Sequence, residues 1–191
     1  MFQTSEWTKY LSYTLLGLVG VGLLIGLYFL LRKRFGNRRK EKEIKRMISG
    51  FELRREVRLF MSYSHADSAL FHIPKIAKNL EKYEKIVQVL YSQKDSRDDF
   101  VKYMNKYLEE SDAILLFCTE TSAESEFVID EWAAARALKK PIIPVFIKEK
   151  FIPALFRAKI GAKFDPNKFP DSLKEIYGII KRRLGDPIEI D

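Results

Sequence analysis

A single cysteine in 191 residues cannot close a disulfide within the chain. That excludes a disulfide-stapled secreted scaffold and a cysteine-rich zinc module, and it fits a reducing compartment. The two histidines, His65 and His72, have no second histidine or cysteine at ligand spacing, so no metal site is expected. Glycine is missing from Phe51 to Ile160. A phosphate-cradling P-loop and a Gly-x-Gly-x-x-Gly dinucleotide turn both need glycine where the backbone approaches phosphate, so kinase, GTPase and ordinary dehydrogenase readings fall over that stretch. Charge is missing from Tyr10 to Leu31, a run of twenty-two residues.

That uncharged run is rich in Leu, Val, Ile, Gly, Tyr and Phe. As a helix it would extend roughly 33 Å at ~1.5 Å per residue, enough for a ~30 Å hydrocarbon core. A single transmembrane helix over residues 10–31 is therefore expected, after a short extracytoplasmic segment, residues 1–9. A cleaved signal peptide fits less well, since no positive excess precedes the run and no Ala-x-Ala-like site follows. Gly22 and Gly26 form a Gly-x-x-x-Gly pair inside it, read as ordinary membrane glycines or as a helix-pairing face.

The formal charge of +8 is local. Residues 32–56 hold eleven Lys or Arg against four Glu, leaving only +1 for residues 57–191. A neutral domain gives nucleic acid no cationic platform, so no nucleic-acid partner is expected. The cations that follow the apolar run, from Arg32 to Lys40, predict a cytoplasmic C-terminal side and an N-terminus outside, at a cell membrane. Within this linker Ile44, Met47, Ile48 and Phe51 recur at helical spacing. Such a stripe suits either an amphipathic segment lying on anionic lipid headgroups or a helical linker docked on the domain.

After Glu56 short apolar runs alternate with helical periodicity. Strands are predicted at Val57 to Tyr63, Ile86 to Tyr91, Ala113 to Thr119 and Pro141 to Ile147, with a short fifth near Lys159 to Phe164. Helices are predicted at about Ala66 to Lys82, Arg97 to Glu110, Glu124 to Lys139 and Asp171 to Leu184. Repeated β-α alternation implies right-handed crossovers and a parallel sheet covered on both faces, over residues 57–184, with 185–191 as a tail. Ligands in such sheets bind beyond the carboxyl ends of the strands. The residues to consider are Ser62, Tyr63, Ser64 and His65, then Ser92 to Asp95, then Thr119 to Ser122. A phospho-receiver would need acidic residues after the first strand and an acceptor Asp at the end of the third, where this chain has Ser62, Tyr63, Ser64, Cys118 and Thr119.

Asp95, Asp98 and Asp99 sit where the second helix should begin and complement its dipole. Cys118 lies in an apolar strand and reads as a buried inert thiol. Glu131 stands apart. A helical wheel at about 100° per residue places it on the apolar face with Phe127, Val128, Ala134, Ala135 and Leu138. A carboxylate there must be salt-bridged, protonated, or open to a cleft where it does chemistry.

Phe60-Met61-Ser62-Tyr63-Ser64 resembles the first conserved box of TIR (Toll/interleukin-1 receptor) domains. Ser125 through Asp130 and Glu131 resembles their helical motif Ser-x-Trp-Cys-x-x-Glu, with Phe127 and Val128 in place of Trp-Cys. Lys140 to Val145 is similar to the TIR fourth strand. The likeness spans about residues 57–184. It implies a flavodoxin-like α/β fold, a five-stranded parallel sheet with helices on both faces. In catalytic TIR domains the motif glutamate, here Glu131, is the essential residue of an NAD+ glycohydrolase. The resemblance implies substrate contacts from Phe60, Ser62, Tyr63, Ser64 and His65, together with Ser92, Thr119 and Ser125. It implies NAD+ as substrate, no separate cofactor, and homo-oligomers built through TIR-TIR contacts. The Ser92 to Asp99 loop lacks the Pro-Gly that many TIR domains carry. Two function classes follow: a membrane-anchored NAD+-cleaving enzyme in signalling or defence, activated by oligomerisation, and a non-catalytic membrane-anchored scaffold that recruits other TIR proteins.

Overall fold

The computed structural model describes residues 26–28, 50–92 and 106–188. The chain divides into two units, Met1–Arg46 and Met47–Asp191. In the first, residues 26–28 are helical. The rest of the span expected over residues 10–31, the linker up to residue 49 and the loop from 93 onward with its three aspartates lie outside the described residues. Among the described residues no helix is long and apolar enough to cross a membrane.

The second unit is built on five parallel strands, β1 (Val57–Ser62), β2 (Ile86–Tyr91), β3 (Ala113–Cys118), β4 (Ile142–Phe146) and β5 (Ala162–Lys163), in the order β2-β1-β3-β4-β5. Leu59 pairs with Ala113 and Ser62 with Leu116 across the β1–β3 ladder. All six residues of β3 are buried, as expected of a central strand covered on both faces. Alternation of side chains splits that strand between two cores. Ala113, Leu115 and Phe117 join Val57, Leu59 and Met61 in one; Ile114, Leu116 and Cys118 join Phe60 and Leu90 in the other.

The first core is covered by α1 (Ser68–Phe71), α2 (Ile73–Leu80) and, later in the chain, the helix Phe169–Leu184. The second is covered by helical residues 106–110 (α3) and, after the short α4 (Glu120–Glu124), by α5 (Glu126–Ala137), so Phe169–Leu184 is α6. The predicted helix from Ala66 to Lys82 is broken at His72, whose φ of 54° is left-handed. Pro74 in the first turn of α2 is the cause: its ring would clash with the carbonyl four residues back in a continuous helix. The break lets Phe71 and Ile73, on either side of exposed His72, both be fully buried.

The end of the linker and the start of the tail pair with each other. Phe51–Glu52 and Asp186–Pro187 form a two-stranded antiparallel ribbon, and Ile188 N–H donates to the Gly50 carbonyl at 2.8 Å. Leu53 beside it is buried in the first core. Gly185 turns α6 into this ribbon, and a Cβ at that position would run into the backbone carbonyl of Glu52. At the start of β1, Asp112 accepts from the Arg58 amide at 2.7 Å and pairs with Arg55 at 2.5 Å, fastening β1 to the loop before β3.

Candidate active site

The strand order reverses at β1, which has β2 on one side and β3 on the other. The loops after β1 and β3 leave the sheet there in opposite senses and open the crevice in which doubly wound sheets bind ligands.

Ser62 is the last residue of β1 and is fully buried. As an even-numbered residue of that strand it shares the face of Phe60, toward the core that α5 covers. Across this face stands Glu131, 7% exposed, buried on α5 with Val128 and Ala135. Phe127 and Leu138, expected on the same apolar face, are 61% and 45% exposed. They sit in the first turn and at the C-terminal cap, so the buried stripe is confined to the middle of the helix and Glu131 is part of it.

Burial raises the Glu131 carboxyl from 4.5 to about 8, and the neighbouring Ser62 hydroxyl acts in the opposite direction. Neither Ser62 Oγ nor Glu131 Oε2 has a hydrogen-bond partner, and among the described residues no cation pairs with Glu131. Of the three states open to this side chain, the protonated one prevails at neutral pH: desolvation without a compensating charge favours the neutral acid.

The other residues implied by the family motif fall into three groups. Tyr63 turns to the opposite face of the sheet, where it is 7% exposed; its hydroxyl donates to the Ser92 carbonyl. Burial pushes that phenol up to about 12, offset in part by Ser68 and reinforced by Tyr91 and Glu131. The exposed His65 ring meets Tyr63 edge-on at 5.6 Å, and half-buried Ser64 opens the 3-10 turn His65–Asp67 without a side-chain cap bond. Ser62, Tyr63, Ser64, His65 and Ser92 are thus gathered at one end of the sheet.

Thr119 and Ser125 hold helices. Thr119 Oγ1 accepts from Ser122 N–H at 2.9 Å and the Thr119 amide donates to Ser122 Oγ at 2.8 Å, a reciprocal box that starts α4. Ser125, in an extended conformation with ψ 112°, ends α4 and caps α5 through Val128 N–H. Thr119, predicted as the last residue of its strand, is therefore a helix cap, and residues 120–122, expected between strand and helix, are already helical. Phe60 is fully buried among Leu116, Cys118 and Val128 and serves as core behind Ser62.

One residue escaped the sequence reading. Asp67 is 7% exposed and its Oδ2 accepts from Thr119 Oγ1 at 2.6 Å. An Asp ahead of a helical run resembles any helix-capping Asp; its partner lies 52 residues away, so nothing local signals the contact. A cavity of about 280 Å³ lies elsewhere, lined by Leu116, Cys118, Ser122, Val128, Trp132 and Pro153 among others. It is apolar and Glu131 does not line it. Burial raises the Cys118 thiol there to about 12, so it is a packed thiol rather than a nucleophile.

A family model described as TIR domain matches residues 59–177. A crystal structure of a prokaryotic SEFIR domain is similar with a TM-score of 0.50 at 19% identity, covering 68% of this chain and 98% of that one. The TIR domain of the Toll-related receptor TRR-2 from Hydra magnipapillata gives 0.51 at 12% identity, covering 66% and 96%. At these identities the likeness is one of fold. No curated protein matches the chain in sequence.

Proposed function

The chain belongs to the TIR-domain family, and from that premise we propose that it is an NAD+ glycohydrolase that cleaves the bond between nicotinamide and ribose, with Glu131 as the catalytic residue. The observation that carries this reading is the buried carboxyl of Glu131 beside Ser62, at the end of β1 where the sheet order reverses, with no ion-pair partner among the described residues. By its resemblance to the family's helical motif, Ser125 through Glu131, the same residue is the motif glutamate.

One carboxylate suffices for the chemistry. Glycosidases acting on ordinary sugars need a second acid to protonate a poor leaving group. Nicotinamide leaves a cationic ring as a neutral molecule, so no proton is required. Ionised Glu131 then stabilises the oxocarbenium-like ribosyl centre and holds the ribose hydroxyls. The substrate's positive ring favours the ionised form of a carboxyl that is neutral in the resting protein. Ser62, Ser64 and His65 contribute contacts at the strand end.

The uncharged run over residues 10–31 anchors the protein, N-terminus outside and TIR domain on the cytoplasmic side. Contacts between tethered copies raise activity by increasing effective concentration. A second reading, a non-catalytic scaffold that recruits other TIR proteins, is favoured by the enclosure of Glu131, which is buried and does not line the 280 Å³ cavity. The deciding experiment is incubation of the full-length protein in lipid vesicles with NAD+. Release of nicotinamide by the wild type, lost in Glu131→Gln, supports the enzyme; equal rates in both overturn the assignment of Glu131, and no release by either favours the scaffold.

A further inference from the structure

The loop after β1 is fastened on both sides. Toward β2, the Tyr63 hydroxyl donates to the Ser92 carbonyl. Toward β3, Asp67 Oδ2 accepts from Thr119 Oγ1 at 2.6 Å. These are the two loops that bound the crevice at the reversal point of the sheet, and the Asp67–Thr119 bond crosses it.

The bond is more than a helix cap. Thr119 caps α4 with its oxygen lone pair, through Ser122 N–H, and that interaction does not involve Asp67. The hydroxyl proton is what Asp67 receives. Both residues are buried, at 7% and 8% exposure, and among the described residues Asp67 makes no ion pair. A buried carboxylate held by a neutral hydroxyl forms a short charge-assisted hydrogen bond with a strong directional demand. Holding two loops in register is a use that matches this cost. With Tyr63, Asp67 and Thr119 committed to these ties, Ser62, Ser64 and His65 remain between the fastened edges; Ser62 Oγ has no partner and Ser64 caps nothing.

We infer that Asp67 is a positioning residue: its bond to Thr119 sets the separation of the loops after β1 and β3, and so the mouth of the crevice that takes the substrate. The inference about substrate rests on the NAD+ reading above, whereas the lock between the loops stands on the geometry alone.

The test compares Asp67→Ala, which deletes the acceptor, with Asp67→Asn, which keeps an acceptor oxygen, in the full-length protein. Loss of the bond should raise KM for NAD+ by about tenfold with a much smaller change in kcat, as expected for one charge-assisted hydrogen bond that shapes a binding crevice. Amide hydrogen exchange across residues 119–124 should speed up in the same variant while β4 is unchanged. Asp67→Asn, which keeps an acceptor oxygen without its charge, should recover part of both. Wild-type KM and exchange in Asp67→Ala would overturn the proposal, as would an Asn variant as impaired as the Ala variant, because the retained acceptor would then do nothing to hold the loops. If Asp67→Ala does not fold, Asp67→Ser, whose shorter side chain withdraws the acceptor from Thr119 while leaving the Ser122 cap of α4 intact, takes its place in the comparison with Asp67→Asn. A wild type that releases no nicotinamide refutes the NAD+ reading, and the exchange comparison still decides the lock.

Discussion

Ser62 and Glu131 adjoin each other inside the protein, and neither Ser62 Oγ nor Glu131 Oε2 is hydrogen-bonded. One is the last residue of a central strand, the other lies midway along the helix that covers it. Polar atoms left unpaired in an interior are costly, and they concentrate where a ligand completes the set.

The first prediction concerns stability. The Glu131 carboxyl sits at about 8 in the folded protein against 4.5 ordinarily. Between those values the unfolded chain releases a proton that the folded one retains, so stability falls as pH rises through the window. Glu131→Gln lacks this dependence. Melting temperatures measured from pH 4 to 9 should show the wild type losing ground to Glu131→Gln by an amount on the order of a few kcal/mol, all of it between about pH 4.5 and 8. A constant difference between the two would mean that folding leaves the Glu131 pKa at its ordinary value.

Activity should run the other way with pH. If ionised Glu131 is the working form, kcat/KM for NAD+ rises through a group near 8, which belongs to the free protein. The kcat limb should lie at lower pH, because bound substrate brings its positive ring to the carboxyl. A kcat/KM that does not change from pH 6 to 9 would exclude this role.

Ser62→Ala removes the one hydroxyl that lowers the Glu131 pKa. The kcat/KM limb should move to higher pH, and thermal stability should change by no more than about 1–2 kcal/mol, the size of one side-chain contact. Circular dichroism melting and the pH profile together check this.

Gly185→Ala should open the ribbon between Phe51–Glu52 and Asp186–Pro187, because the added methyl meets the Glu52 and Lys181 carbonyls. A loss of about 1–3 kcal/mol is expected from such overpacking against backbone. Faster amide exchange at Phe51 and Glu52, with exchange in β3 unaltered, would locate the effect.

Much of the architecture follows from local pattern. The predicted strand limits at Ile86 and Tyr91 are those observed, and the others differ by one or two residues except the short fifth. Unbroken apolar runs such as Ala113 to Cys118 have no use except between two covered faces. The break at His72 was legible too in principle, since Pro74 cannot continue a helix, but a periodic pattern on both sides concealed it.

By itself, the sequence determined the β-α order, the missing glycine turns, and a carboxylate on the buried side of α5. These are matters of period and residue type within one element. Tertiary structure alone decided what each polar residue is committed to. Thr119 looked like a substrate contact and is tied to Asp67, 52 residues away; Tyr63 looked like a neighbour of Ser62 and points to the other face of the sheet; Phe127 looked buried and is exposed. The reason is physical: periodicity says which residues share a face of one element. Which face is covered, and by what, depends on contacts between segments far apart in the chain. The free energy of a polar group is set by that environment, so Glu131 became an acid with a pKa near 8 only when β1 and α5 closed around it.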